Sequence, residues 1–314
     1  MTHGGRRLVE TEGQGMLMRL KDWLDDPEPT SQLQVRSQAF HRQWRRFRSN
    51  PLAILGLSIV VILLFTAVLA PWLAPYSPYD QSLDGRLLPP NHQHWFGTDE
   101  LGRDILSRII YGARVSLYVV ILVTLLKTPV GLLVGVTAGY AGGLVDAVLM
   151  RVTDIFLAFP GLILTLAFAA ALGPGLENAV IAISLSSWPG YARLVRAQTM
   201  TIRSRDFVSA ARAYGASPLR IILGHVVPMV VPTLCVRAAM SMAGIILAGA
   251  SLGFLGMGAQ PPTAEWGAML ADGRRYMLDH WWTTAIPGAA ILIVSLGFNL
   301  LGDGLRDVLD RRTN

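Results

Sequence analysis

The sequence predicts an all-α, polytopic membrane protein with six transmembrane helices, and two observations carry that prediction. Of 314 residues, 52% are hydrophobic and 15% charged, against about a quarter charged in an ordinary soluble domain. No Asp, Glu, Lys or Arg occurs between Arg48 and Asp80, Asp154 and Glu177, Arg237 and Glu265, or Asp279 and Asp303. Each gap exceeds the roughly 20 helical residues that cross a hydrocarbon core about 30 Å thick. A disordered chain and a disulfide scaffold are excluded on the same grounds.

Residues 1–30 mix acidic and basic groups without the short apolar core of a secretory signal. Residues 1–50 are therefore expected as a cytoplasmic extension, with no function to infer for residues 1–35. A first span within 51–74 is entered by Arg42, Arg45, Arg46 and Arg48 and left at Pro75, Ser77 and Pro78. An extracytoplasmic loop, 75–110, follows, with a helix signal at 99–111. The remaining core, 111–312, should hold five spans. The second (115–138) is interrupted by Lys127 and stopped by Gly139, Gly142 and Gly143. The third (155–172) ends in Gly173-Pro174-Gly175, a tight reversal. The fourth (179–192) is short and Ser-rich. The fifth (226–254) and sixth (282–301) flank a second outer segment.

Charge sets the orientation. Segments 31–50, 143–154, 193–220 and 303–314 hold 15 Lys and Arg, whereas 74–114, 173–178 and 257–282 hold 6. The positive-inside rule then places both termini in the cytoplasm. The net charge of +6 comes from cations, 25 of 27 of them Arg, that cluster beside apolar runs, which reads as topology signal and not as a nucleic-acid surface. Cys235 is a lone thiol with no intrachain partner. No repeat of an inverted-transporter kind is evident.

The most informative local feature is the run from Asp206 to Pro228. Asp206 can accept from backbone donors at a helix start, Gly215 suits the left-handed residue past its end, and Ser217-Pro218 opens a second helix. Ala210, Ala211 and Ala213 allow close approach of another surface, and Phe207 and Tyr214 can fill hollows in it. An ordinary surface hairpin fits the same pattern. The segment 204–228 resembles the "EAA" loop of ABC importer permeases, the element that docks onto each cytoplasmic ATPase. Ser209 stands where that family usually has Glu, and Met229 where Asn often follows the proline, so no single salt bridge at the contact is expected.

Other stretches narrow the resemblance. Residues 95–117, with Phe96-Gly97-Thr98-Asp99 and Gly102-Arg103-Asp104, are similar to the signature after the first span of the second permease in dipeptide, oligopeptide, glutathione and nickel importers. So are 251–258, 260–270 and 298–306. Gly249 and Gly253 stand where Glu and Ser are often found. Over roughly 36–312 the chain is thus identified as a dipeptide permease C-like member of that family, which implies a type I ABC importer permease fold in a bacterial or archaeal inner membrane. The resemblance further implies that this chain forms half of a translocation path for peptides or a related small solute. Its implied partners are a second permease subunit, two ATPase subunits carrying ATP and Mg, an extracytoplasmic binding protein, and membrane lipid. It also implies an ATPase-coupling set of Asp206, Phe207, Ser209, Ala210, Ala211, Tyr214, Gly215, Ala216, Pro218, Leu219 and Pro228.

Function beyond coupling divides between two groups. Phe96, Gly97, Thr98, Asp99, Arg103 and Asp104, with Glu265 and Trp266, are candidates for docking the binding protein; a scaffold that rigidifies the outer loop is the alternative. Lys127, Arg237 and Ser251 are candidates for the translocation path. Lys127 falls near the middle of the second span and Arg237 about eleven residues into the fifth, so both are expected at depth. Their compensation is then water in a pathway, a carboxylate of the partner permease, or an anionic group of the substrate such as a peptide's C-terminal carboxylate. The alternative is that backbone carbonyls and partner-chain contacts satisfy them, with Lys127 partly snorkelling. His92 and His94 make a poor metal site without a third ligand, and His225, at a helix entry, reads as a cap or as facing lipid headgroups. Neither Lys21 nor Lys127 follows a Gly-rich phosphate loop, so the chain is expected to bind no cofactor and to be no enzyme itself. A self-sufficient secondary transporter or channel is the alternative reading.

Overall fold

The computed structural model describes residues 31–309, and the expectation for residues 1–30 lies outside them. Among the described residues the regular structure is helical, apart from one isolated antiparallel bridge, Thr98 to Asp104. Helix α1 (Gln32–Arg48) leads to α2 (Pro51–Val68), whose start is fixed by Pro51 and by Asn50 Oδ1 accepting from the amides of Leu52 and Ala53. A short α3 (Ala70–Leu73) and an irregular segment follow.

Helix α4 (Ile105–Ala141) runs unbroken for 37 residues, about 55 Å at 1.5 Å per residue. The helix signal at 99–111 is realised only from Ile105, because Asp104 caps it by accepting from Ser107 N at 2.8 Å. Helices α5 (Gly143–Ala158) and α6 (Gly161–Leu172) meet at 93°. The expected straight span at 155–172 is therefore broken. Phe159, preceding Pro160, is held in an extended conformation, as the steric demand of the proline ring requires.

Helices α7 (Leu176–Ser187) and α8 (Pro189–Arg203) follow, then α9 (Asp206–Ala213). Helix α10 (Pro218–Ile221) passes through a π-helical stretch, Ile222–Val226, into α11 (Val227–Phe254). Together they form one helix of 37 residues. An outer helix α12 (Trp266–Gly273) precedes α13 (Trp282–Leu309).

Four of these helices are long and apolar enough to cross a membrane, and five if the bent pair counts as one span. The remaining expected span, the fourth (179–192), falls on α7 with the start of α8. Its polarity is absorbed locally: the hydroxyls of Ser184 and Ser187 donate to carbonyls four residues back, and Ser186 Oγ pairs with Thr165 Oγ1 on α6.

Close packing rests on small residues, as expected without a hydrophobic drive inside lipid. Gly131, Gly135 and Gly139 of α4 form a stripe at four-residue spacing against Tyr191, Ala192, Val195 and Thr199 of α8, and a Cβ at any of the three would collide with α8. Gly56 on α2 and Gly297 and Gly304 on α13 do the same for that pair. One apolar core, including Val120, Val123, Ile246 and Phe298, joins the spans and the outer helix. A second, including Tyr191, Val195, Val208, Ile221 and Val230, ties α9 and α10 to the bundle.

Candidate functional site: a coupling segment, a cationic cluster and an outer cap

The segment between α8 and α11 is seated by a few apolar side chains and otherwise projects outward. Val208 and Ile221 are fully buried, while Phe207, Leu219 and Leu223 are exposed and Tyr214 is 92% exposed. Ser209, Ala210 and Pro218 are also exposed, and Ala211 and Ala216 are half-buried. Gly215 has φ +80. Its N–H donates to the Arg212 carbonyl and that of Ala216 to the Ala211 carbonyl, a Schellman closure that needs the left-handed residue.

Two expectations for this segment change. Asp206 is the first helical residue and not the cap; the cap position is Arg205, without a side-chain bond, so Asp206 acts through its charge at the positive end of the helix. Only α9 is a separate short helix, because the second one continues into α11. Pro228 lies in the first turn of α11 instead of closing a hairpin. A proline ring clashes with the carbonyl four residues earlier, and the π-helical stretch immediately before it gives the chain that room.

Deeper in the bundle, Lys127 is buried, with Nζ donating to Ser241 Oγ at 3.0 Å and standing 4.9 Å from the centroid of the Tyr191 ring. It does not snorkel. Ser241 Oγ also pairs with the Tyr191 hydroxyl. Arg237, expected to be buried at depth in the fifth span, lies within the spanning helix α11 but exposed on its surface. Leu234 and Ala238, at four-residue spacing, take the buried face, and position 237 falls off it. Ser251, half-buried higher on the same helix, donates to the Leu247 carbonyl. Tyr191, Ser241 and the glycine stripe escaped the sequence reading, although the four-residue glycine spacing was visible in it.

At the outer end, the candidate docking residues are largely internal. Thr98, Arg103, Asp104, Glu265 and Trp266 are buried, Gly97 likewise, and Phe96 and Asp99 are half-buried. Asp99 accepts from the Leu101 and Arg103 amides and from Arg103 Nε at 2.7 Å. Asp104 holds Ser107 and, at 3.0 Å, His94 Nδ1. The indoles of Trp266 and Trp282 donate to the carbonyls of Ile109 and Thr98. The buried side chains build a platform, and of these candidates Phe96 and Asp99 keep partial exposure. His94 is committed to Asp104, and no cluster of three or more metal-ligating residues occurs among the described residues.

Glu265 caps α12: Oε1 accepts from Gly267 N at 2.8 Å and Oε2 from Ala268 N at 2.7 Å. Burial pushes its carboxyl up to about 7, against the lowering effect of those two amides. Burial, and then the fields of Asp272 and Asp99, raises the Glu100 carboxyl. Beside the cap an open groove of about 1010 Å³ is lined by Arg114, Tyr118, Glu177, Asn178, Gln260 and Thr263, among others.

Residues 131–314 match the family model described as binding-protein-dependent transport system inner membrane component. Residues 38–90 match the N-terminal TM domain of oligopeptide transport permease C. The chain is 46% identical over 263 residues to the probable D,D-dipeptide transport system permease protein DdpC of Escherichia coli (84% of this chain, 88% of that one). It is 46% identical to the di/tripeptide transport system permease protein DppC of Pseudomonas aeruginosa over 273 residues (85% and 90%). The dipeptide transport system permease protein DppC of Bacillus subtilis is 40% identical over 268 residues (85% and 84%). A chain of the inward-facing MetNI methionine ABC transporter shares the fold, with TM-score 0.52, 20% identity, and coverage of 65% of this chain and 97% of that one.

Proposed function

Because the chain belongs to the family of binding-protein-dependent transport system inner membrane components, and is a permease subunit of the ABC importer type, we propose that it imports short peptides. In this reading it forms half of a path whose other half is a second permease. Two cytoplasmic ATPases, which bind ATP and Mg, drive it, and a soluble binding protein delivers the peptide outside. The membrane is the cytoplasmic one, with both termini inside.

The observation that carries the reading is the projecting segment Asp206–Leu219. It presents Phe207, Tyr214 and Leu219 outward on a base fixed by Val208 and Ile221. The base continues as a single helix from Pro218 to Phe254. An ATPase that moves this segment would move that helix as a rod, so the segment's role is mechanical. The surrounding cations, Arg205, Arg212 and Arg220, are exposed and suit a cytoplasmic position.

The test is reconstitution of the chain with a second permease, two ATPases and a binding protein in liposomes, reading ATP-dependent uptake of radiolabelled alanine peptides of two to four residues. Uptake only with all partners present is expected. Uptake by this chain alone would favour a self-sufficient transporter.

A further inference from the structure

Lys127 on α4 and Arg237 on α11 are treated most simply as two separate charges, yet the structure joins them through one polar cluster. Tyr191, from α8, lays its ring beside Lys127 Nζ and its hydroxyl beside Ser241, one turn beyond Arg237. The same hydroxyl lies 3.4 Å from the Arg237 carbonyl. The glycine stripe of α4 is what brings Tyr191 close enough to do this.

The charge balance of the cluster is incomplete. Helices α4, α8 and α11 contain no Asp or Glu. The nearby carboxylates of Asp146 and Asp154 on α5 are committed to Arg196 and Arg193. Among the described residues, neither Lys127 nor Arg237 makes an ion pair. Lys127 is satisfied by a hydroxyl and a ring face and is closed off from solvent. Arg237 is open, and Gly190 beside its Nη2 carries no side chain to cover it. A cation held in the spanning region attracts an anion, and the fork of a guanidinium matches a carboxylate in two hydrogen bonds.

We infer that Arg237 and Lys127 form one cationic station for the C-terminal carboxylate of a peptide in transit, with Arg237 making the contact and buried Lys127 supplying a fixed positive field behind it. The inference rests on the importer reading above. Contact on an exposed residue, with the second cation withheld, suits passage: the carboxylate is drawn in and can leave.

The test uses the assembled complex in liposomes at saturating peptide-loaded binding protein, so that selection by that separate protein is constant. Uptake of the alanine peptide mixture is compared for wild type, Arg237→Lys, Arg237→Met and Arg237→Glu. The expected order follows charge: Lys within about threefold of wild type, Met reduced about tenfold or more, Glu lower still, one decade corresponding to about 1.4 kcal/mol. Co-purification of the second permease should not change. Wild-type uptake by Arg237→Met, or equal loss in the Lys and Met variants, overturns the inference. Loss of co-purification in Arg237→Met also overturns it, assigning the guanidinium to a carboxylate of the neighbouring permease. A wild-type complex that assembles and hydrolyses ATP but imports none of the peptides overturns the peptide reading itself, and the station with it.

Discussion

The Glu265 carboxylate occupies the space beside Gly253 that a side chain there would need. The end of the long helix and the cap of the outer helix are thereby locked together, since the same carboxylate holds the amides of Gly267 and Ala268. Gly253→Ala should force Glu265 out and destabilise the outer helix by about 1–3 kcal/mol, the usual cost of overpacking. Hydrogen exchange at Gly267 and Ala268 reads this directly. In Glu265→Ala the added Gly253→Ala should cost little, because the two changes remove one interaction. Additive losses would contradict the lock.

The same carboxyl gives the outer cap a pH dependence. Its value is raised to about 7 in the fold, with burial as the main cause, so the folded state holds the proton more tightly than the unfolded chain. The sign follows: its contribution is fully present below about 4.5 and is lost as pH rises through about 7. Thermal unfolding of the purified protein should show a melting temperature that falls over this window in wild type and falls less in Glu265→Gln. An identical slope in the two would rule out Glu265 as the source.

Gly215 isolates a conformational cost, because nothing lies within 4 Å of the position a Cβ would take. At φ +80 a β-branched residue is strained by about 1–3 kcal/mol, whereas Asn visits this region readily. Gly215→Val should therefore uncouple ATP hydrolysis from transport while leaving insertion intact, and Gly215→Asn should retain most activity. Equal activity in all three forms would mean that the Schellman closure does not position the segment.

Much of this arrangement was legible in the sequence, and the limits of that reading have physical reasons. Uncharged stretches longer than a bilayer marked the apolar spans, and Gly215, Ser217 and Pro218 marked the turn. The continuity of α10 with α11 was hidden, because Pro228 signals a break unless a π-helical stretch absorbs it, and a tertiary adjustment of that kind leaves no local trace. The break at Pro160 was readable in principle, since the residue before a proline is driven out of the helical region. Outer residues such as Thr98 and Glu265 look like surface because they are polar. Their burial follows from long-range partners: Trp282 reaches Thr98 from 184 positions away. Lys127 and Arg237 were visible as anomalies, but their union through Tyr191 depends on helix packing that spacing alone does not give.

The central claim is that the projecting segment is the contact for the ATPases, and Tyr214, 92% exposed, reports on it most directly. A photo-crosslinking amino acid placed at position 214 in the assembled, membrane-embedded complex should form adducts with an ATPase subunit. Those adducts should disappear when the ATPases are stripped from the membrane. Crosslinks to lipid or to the second permease alone, with the ATPases still bound and active, would contradict the account.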